Sequence, residues 1–181
     1  MTKLDTFQGL VKRLIKELNN TEQEYMFTGA LAVSYYGRPR TTTDVDVLIH
    51  TRPEGIPRLT GSLREAKLDV SKHRLEQALE SGYNIVTVED SVTPYSVDLI
   101  FIRDPMERRA STILGEPTFI QPPTDLILAK LRMIKATKDP RKAYKDEEDI
   151  KSIIRNTQVD ISKLRVDAEK ENTLEILEKI L

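Results

Sequence analysis

Asp44 and Asp46 stand two residues apart at the head of the run Val45, Val47, Leu48, Ile49, whose apolar, β-branched content predicts a buried strand. Successive side chains of a strand point to opposite faces, so both carboxylates share one face. Two negative charges held that close repel unless a cation sits between them. Hard oxygen ligands at this spacing suit Mg2+, which takes one or two carboxylates together with substrate phosphates. Alone, the pair reads first as two solvated acids at a strand end. A third acid, Asp98, changes the balance, because it interrupts the otherwise apolar stretch Tyr95–Ile102 (YSVDLIFI). An ionised carboxylate on a core strand is costly unless it is paired or metal-bound, and a solvated strand face is the competing explanation. Three acids on two strands are compatible with a two-metal phosphoryl-transfer site.

Two neighbouring features point the same way. Gly29 follows the short predicted strand Tyr25–Thr28 and opens a helix, which leaves backbone N–H groups free at a helix N-terminus. That is an anion site suited to phosphate, although an ordinary strand–helix turn has the same sequence. Arg38, Arg40 and Thr42 then lead into the acids as Arg-x-Thr-x-Asp-x-Asp.

The elements that must position these residues are legible from periodicity. Leu4, Phe7, Leu10, Val11, Leu14, Ile15 and Leu18 repeat at helical spacing, and Asn19-Asn20 end the pattern. Ala30–Tyr36 reads as a helix stopped by Gly37 and Pro39, and Asp44–His50 as a strand. Residues 58–81 are helix-rich, with breaks expected at Gly61 and at Asp69-Val70-Ser71. Ile85–Val88 and Tyr95–Ile102 are predicted strands, joined closely enough to pair antiparallel. Glu116–Ile120 is a further strand candidate. Thr124 is placed to cap a helix from Asp125 to about Thr137. Lys145–Asn156 and Asp160–Leu181 complete a helical region. The expected fold is α+β: a small mixed β-sheet with flanking helices over residues 1–122, then a C-terminal helical region over 123–181 packed on it.

Composition narrows the function. The 181 residues carry 28 Lys+Arg against 29 Asp+Glu, so no global basic field advertises nucleic acid, although a local patch can still meet a polyanion. No cysteine is present, which excludes disulfides, thiolate catalysis and zinc–thiolate sites. His50 and His73 are too few and too far apart for a histidine metal site. No apolar run approaches a membrane span and no signal segment is evident, so a cytoplasmic protein is expected. Tyr35 and Tyr36 could stack a base, but helix-end aromatics usually pack and the core is the first assignment. Arg108-Arg109 could grip an acceptor strand or lie on a solvated face.

Phe27-Thr28-Gly29-Ala30-Leu31-Ala32, Gly37-Arg38-Pro39-Arg40-Thr41-Thr42-Thr43-Asp44-Val45-Asp46 and Asp98 together resemble the nucleotidyltransferase superfamily of the DNA polymerase β type. The closer likeness is to its small prokaryotic branch, which includes the toxin half of abortive-infection type E toxin–antitoxin systems. In that branch a helix begins Pro-x-Asp-Leu-Ile-x-x-Lys-Leu and another carries Lys-Asp-x-x-Asp-Ile. Pro123–Leu131 and Lys145–Ile150 stand in those places here.

The resemblance implies Mg2+-dependent transfer of a nucleoside monophosphate from a nucleoside triphosphate to a hydroxyl acceptor. An RNA 3′ end such as that of tRNA is the first choice, with a protein or small molecule as alternatives and an antitoxin protein as a further partner. It implies that Asp44, Asp46 and Asp98 hold the metal, with Asp98 also helping to deprotonate the acceptor. Gly29, Ala30, Arg40 and Thr42 would meet the nucleotide. Lys130 would reach a phosphate, and Asp149 or Asp146 would orient that lysine or the acceptor. A snorkelling Lys130 and solvated helix acids are the plainer readings of those three. The sequence departs from the family pattern at Ala30, where Gly or Ser is usual. That departure keeps a second class open, a nucleotide-binding or protein-interaction module without turnover. A third reading makes the acids mere solubilisers of a strand end.

Overall fold

The structure is a computed structural model that describes residues 6–82 and 84–181. Leu4, expected in the first helix, lies outside the described residues. The chain divides into two compact units, one of Met1–Ala30 and Thr41–Ile120 and one of Leu31–Arg40 and Gln121–Leu181.

Unit 1 is built on a mixed sheet of seven strands among the described residues. Helix α1 (Phe7–Asn19) begins at Thr6, whose side chain accepts from the Gly9 N–H at 3.1 Å. It buries Leu10, Val11, Leu14, Ile15 and Leu18, the stripe that periodicity predicts. Then come β1 (Glu24–Phe27), the start of α2 (Gly29–Tyr36), β2 (Asp44–His50), a single 3-10 turn (Pro53–Gly55), α3 (Ile56–Glu65), β3 (Leu68–Asp69), α4 (Lys72–Ser81), β4 (Ile85–Asp90), β5 (Ser96–Ile102), β6 (Arg109–Ile113) and β7 (Glu116–Ile120). The sheet order is β3-β4-β5-β2-β1-β7-β6. β2 runs parallel to β5 and β1 parallel to β7, and the other pairs are antiparallel.

Alternation does the sorting. Val45, Val47 and Ile49 of β2 pair with Val97, Leu99 and Phe101 of β5, and Tyr25 and Phe27 of β1 fall on the same face. All eight are buried and form the unit's core with α1 and α3. Asp44, Asp46 and Asp98 occupy the opposite face.

Unit 2 is helical. Residues of α2 from Leu31 onward join α5 (Pro123–Ala136), α6 (Pro140–Asn156), α7 (Ile161–Lys170) and α8 (Leu174–Ile180). α5 is the hub, touching α6, α7 and α8. The end of α2 is clamped onto α6: Thr157 Oγ1 donates to the Tyr36 carbonyl at 2.8 Å, and a Cβ on Gly37 would lie 3.1 Å from Ser152 Cβ. Tyr36 itself donates to the Gln121 carbonyl at 2.9 Å.

Several boundaries differ from the periodicity reading. Gly61 does not break α3, because it sits on an exposed helical position where an added Cβ would meet nothing. Thr124 does not cap α5, which starts at Pro123 after an extended Pro122. α6 begins at Pro140, with Asp139 accepting from the Arg141 N–H at 2.9 Å, so that proline starts a helix that the sequence reading opened only at Lys145. The last helical segment splits at Asn172, whose φ of 56° reverses the chain between α7 and α8. Residues 31–40, grouped with the catalytic core in the sequence reading, fall in unit 2, where Tyr36 bonds to Gln121 and Thr157.

Candidate functional site

Register creates the acid cluster of unit 1. Asp46 and Asp98 are direct Cα partners on the parallel strands β2 and β5, and Asp44 follows on the same face, paired with Ser96. One carboxylate oxygen from each of the three can be taken such that all lie within 4.8 Å of one another. The three side chains are half-buried. Two of them are held by threonines. Thr42 Oγ1 bonds to the Asp44 carboxylate and also donates to the Asp44 carbonyl at 3.1 Å. Thr87, opposite Asp98 on β4, donates to Asp98 Oδ1 at 2.6 Å. The Thr28 N–H donates to the Asp46 carbonyl at 3.0 Å, which ties the end of β1 to β2 beside the glycine turn.

That turn is specific to glycine for two separate reasons. Gly29 has φ of +58°, and a Cβ there would lie 2.6 Å from Asp46 Cγ. The Asp46 carboxylate therefore fills the space that a side chain at Gly29 would need. Ala30 follows, buried, and offers only its N–H. Gly29, Ala30, Thr42, Asp44, Asp46 and Asp98 are thus brought together within unit 1. Thr87 was missed by the sequence reading, although counting register back from the β4–β5 hairpin would have placed it beside Asp98.

Arg40, Lys130, Asp146 and Asp149 form a second cluster, within unit 2. Lys130 Nζ lies 2.7 Å from Asp146 Oδ1 and 2.8 Å from Asp149 Oδ2, and the Arg40 guanidinium bonds to the same Asp149 oxygen. Lys130 is 5 % exposed and Asp149 1 %, so neither the snorkelling lysine nor the solvated acid describes them. Two cations offset two carboxylates, which is what makes burial of four charges tolerable. Asp149 Oδ1 is buried and has no hydrogen-bond partner among the described residues. Arg40 is fixed further by its own N–H, which donates to Ser34 Oγ at 3.0 Å.

The remaining candidates are accounted for locally. Arg108 lies over the Phe119 ring at 4.2 Å and within 3.9 Å of Glu24. His50, at the end of β2 away from the acids, lies 3.5 Å from Glu24. Tyr36 is buried as expected, but Tyr35 is 43 % exposed.

Residues 13–175 match the family model described as nucleotidyl transferase AbiEii toxin of type IV toxin–antitoxin systems, and the chain belongs to that family. No curated protein sequence matches the chain. Among solved structures, an antigenic nucleotidyltransferase-like protein from Paracoccidioides brasiliensis superposes with a TM-score of 0.59 at 19 % identity, covering 93 % of this chain and 91 % of its own. The antibiotic-resistance factor ANT(2″)-Ia gives 0.61 at 12 % identity, with 95 % of each chain covered. A nucleotidyltransferase candidate from Thermotoga maritima gives 0.51 at 16 %, covering 75 % of this chain and 88 % of its own. At these identities the likeness is one of fold. Among the described residues no helix is long and apolar enough to cross a membrane.

Proposed function

We propose that this chain transfers a nucleoside monophosphate from a nucleoside triphosphate to a hydroxyl of RNA, at a site formed by Asp44, Asp46 and Asp98. The single observation that carries the proposal is the convergence of three carboxylates to within 4.8 Å on one sheet face. Such a donor set fits a hard divalent cation, and Mg2+ is the expected one. Asp44, Asp46 and Asp98 would hold it. When bound, it neutralises phosphate charge and polarises the phosphoryl group under attack.

The protein's own groups have defined tasks in this reading. The N–H groups of Gly29 and Ala30 donate to phosphate oxygens at the start of α2. Thr42 and Thr87 hold Asp44 and Asp98 in place. The acceptor hydroxyl gives its proton to Asp98 Oδ2, the oxygen not engaged by Thr87. Its oxygen bonds to the α-phosphorus as the bond to pyrophosphate breaks. Lys130 and Arg40 serve phosphate charge in the same reading, and Asp149 orients the lysine. An RNA 3′ end is the preferred acceptor, a cognate antitoxin the expected protein partner and the cytoplasm the expected compartment.

The test incubates purified protein with labelled nucleotides, Mg2+ and total RNA. Label should enter RNA, and Asp46→Ala should abolish incorporation. Absent label, or undiminished label with Asp46→Ala, overturns the proposal. Ala30 favours a second reading, because a serine hydroxyl at that turn would add a phosphate contact that alanine lacks. In that reading the fold binds nucleotide without turnover, and calorimetry would detect binding where the label assay finds no product.

A further inference from the structure

The outer face of α6 carries a stripe that the reaction does not use. Tyr144, Glu148, Lys151 and Arg155 recur at helical spacing and so share one side of the helix. Tyr144 is 63 % exposed, an unusual position for a large aromatic ring with no structural task. The end of α2 is fastened to α6 through Thr157 and Ser152, and Arg38, just beyond that end, lies close enough to act on Glu148 of the stripe. Tyr35 is held edge-on against the buried Tyr36, with ring centroids 5.1 Å apart, so its exposed ring is pre-positioned rather than loose. The charges on this face are unequal. Lys151 Nζ bonds to Glu148 at 3.0 Å and holds that carboxyl below its ordinary range, and Arg38 and Arg155 lie close enough to add to the effect. Three cations therefore surround one acid.

We propose that this face of unit 2 binds single-stranded RNA, with Arg38, Lys151 and Arg155 meeting backbone phosphates and Tyr35 and Tyr144 stacking on bases. Cations interleaved with exposed aromatic rings are the recognition chemistry of single strands: charge tracks the backbone, and rings accept any base. Arginine suits the phosphate role because its planar fork bonds two oxygens at once. From Tyr144 to Arg155 the helix rises roughly 16 Å, which matches a few nucleotides rather than a long duplex. The choice of RNA over other polyanions rests on the acceptor proposed above.

The experiment measures binding of a fluorescent single-stranded RNA by anisotropy across a salt series, alongside label transfer to RNA. The variants are Tyr35→Ala, Tyr144→Ala and the double variant Arg38→Ala/Arg155→Ala, all at exposed positions. Removing either ring should weaken binding roughly tenfold with little change in salt dependence. Removing both arginines should weaken it further and reduce the slope of log affinity against log salt by about 1.4, roughly 0.7 for each phosphate contact of a single strand. In the alanine variants the KM for RNA should rise while that for nucleotide stays constant, and Arg155→Lys should keep only part of the affinity, retaining the charge but losing the two-oxygen fork. If wild type labels RNA and these variants bind and react unchanged, the surface is overturned and the proposed reaction stands. If wild type binds RNA through this face yet never labels it, the surface stands and the acceptor assignment falls. If wild type neither binds nor labels RNA, both fall.

Discussion

Asp46 and Asp98 are register partners on adjacent parallel strands, so the sheet itself sets the spacing of the two central carboxylates. Neighbouring strands are about 4.8 Å apart, too close for two uncompensated charges at low cost. Ionic repulsion is therefore built into the metal-free protein. If the proposed metal site is real, Mg2+ should raise the Tm of wild type, and the neutral isostere Asp98→Asn should leave the metal-free protein at least as stable while abolishing that rise. Label transfer should fall by at least ~100-fold, the scale of removing a group that stabilises charge in the transition state. Thermal melts with and without Mg2+ check the first part. An Asp98→Asn variant that is still stabilised by Mg2+ as wild type is would remove Asp98 from the metal site.

Gly29 faces a stricter requirement than an ordinary helix-start glycine. Its φ of +58° penalises any L side chain, and the Asp46 carboxylate occupies the space of a Cβ. Gly29→Ala should lose more than the ~1–2 kcal/mol that the left-handed region alone costs, because Asp46 or the turn must also move. Urea unfolding gives the stability loss, and Gly61→Ala serves as the control. Gly61 lies in the interior of α3 with open space where its Cβ would be, so that change should stabilise by ~0.5–1 kcal/mol.

What the sequence disclosed follows from how local each signal is. The three acids were legible because Asp-x-Asp on a strand fixes a shared face and Asp98 broke an apolar run. The sheet was larger than it read. β6 (Arg109–Ile113) is an edge strand with little alternation to betray it, and β3 is only two residues long. α6 read as opening at Lys145, whereas Pro140, with Asp139 as cap, begins it five residues earlier. The ion cluster was less visible still. Arg40 and Asp149 are 109 residues apart in the chain, and a lysine between apolar neighbours looks the same whether it reaches solvent or a buried acid.

Tyr25 gives unit 1 a pH response unrelated to the reaction. Its hydroxyl donates to Asn19 Oδ1 at 2.7 Å and lies 3.0 Å from Thr118 Oγ1. Burial raises its pKa above the ordinary value, against the smaller opposing effects of Thr118 and Arg108. A raised pKa means the folded state holds the proton more tightly than the unfolded state. The associated stability is present below the unfolded value of about 10 and is lost as pH rises through the folded value. Tyr25→Phe should be less stable than wild type at neutral pH, with a difference that narrows above pH ~10. Melts from neutral to alkaline pH check this, and a constant difference would place the titration elsewhere.

Lys130 and Asp149 put a buried charge network at the centre of unit 2, and its energetics depend on completeness. Asp149 Oδ2 serves both Lys130 and Arg40, whereas Asp146 serves Lys130 alone among the ion pairs of the described residues. Removing one member of a buried pair leaves the others uncompensated and typically costs about 3–5 kcal/mol. Asp149→Ala should therefore destabilise more than Asp146→Ala, because it strands Arg40 and removes one of the two partners of Lys130, whereas Asp146→Ala leaves both cations on Asp149. Lys130→Met leaves Asp149 on Arg40 but strands the buried Asp146, so it should cost about as much as Asp149→Ala. Equilibrium unfolding ranks the three. Label transfer per folded molecule then separates stability from chemistry: if Lys130→Met transfers label as wild type does once its folded fraction is counted, Lys130 has a structural task only. Loss of transfer in fully folded Lys130→Met would instead support its part in the reaction.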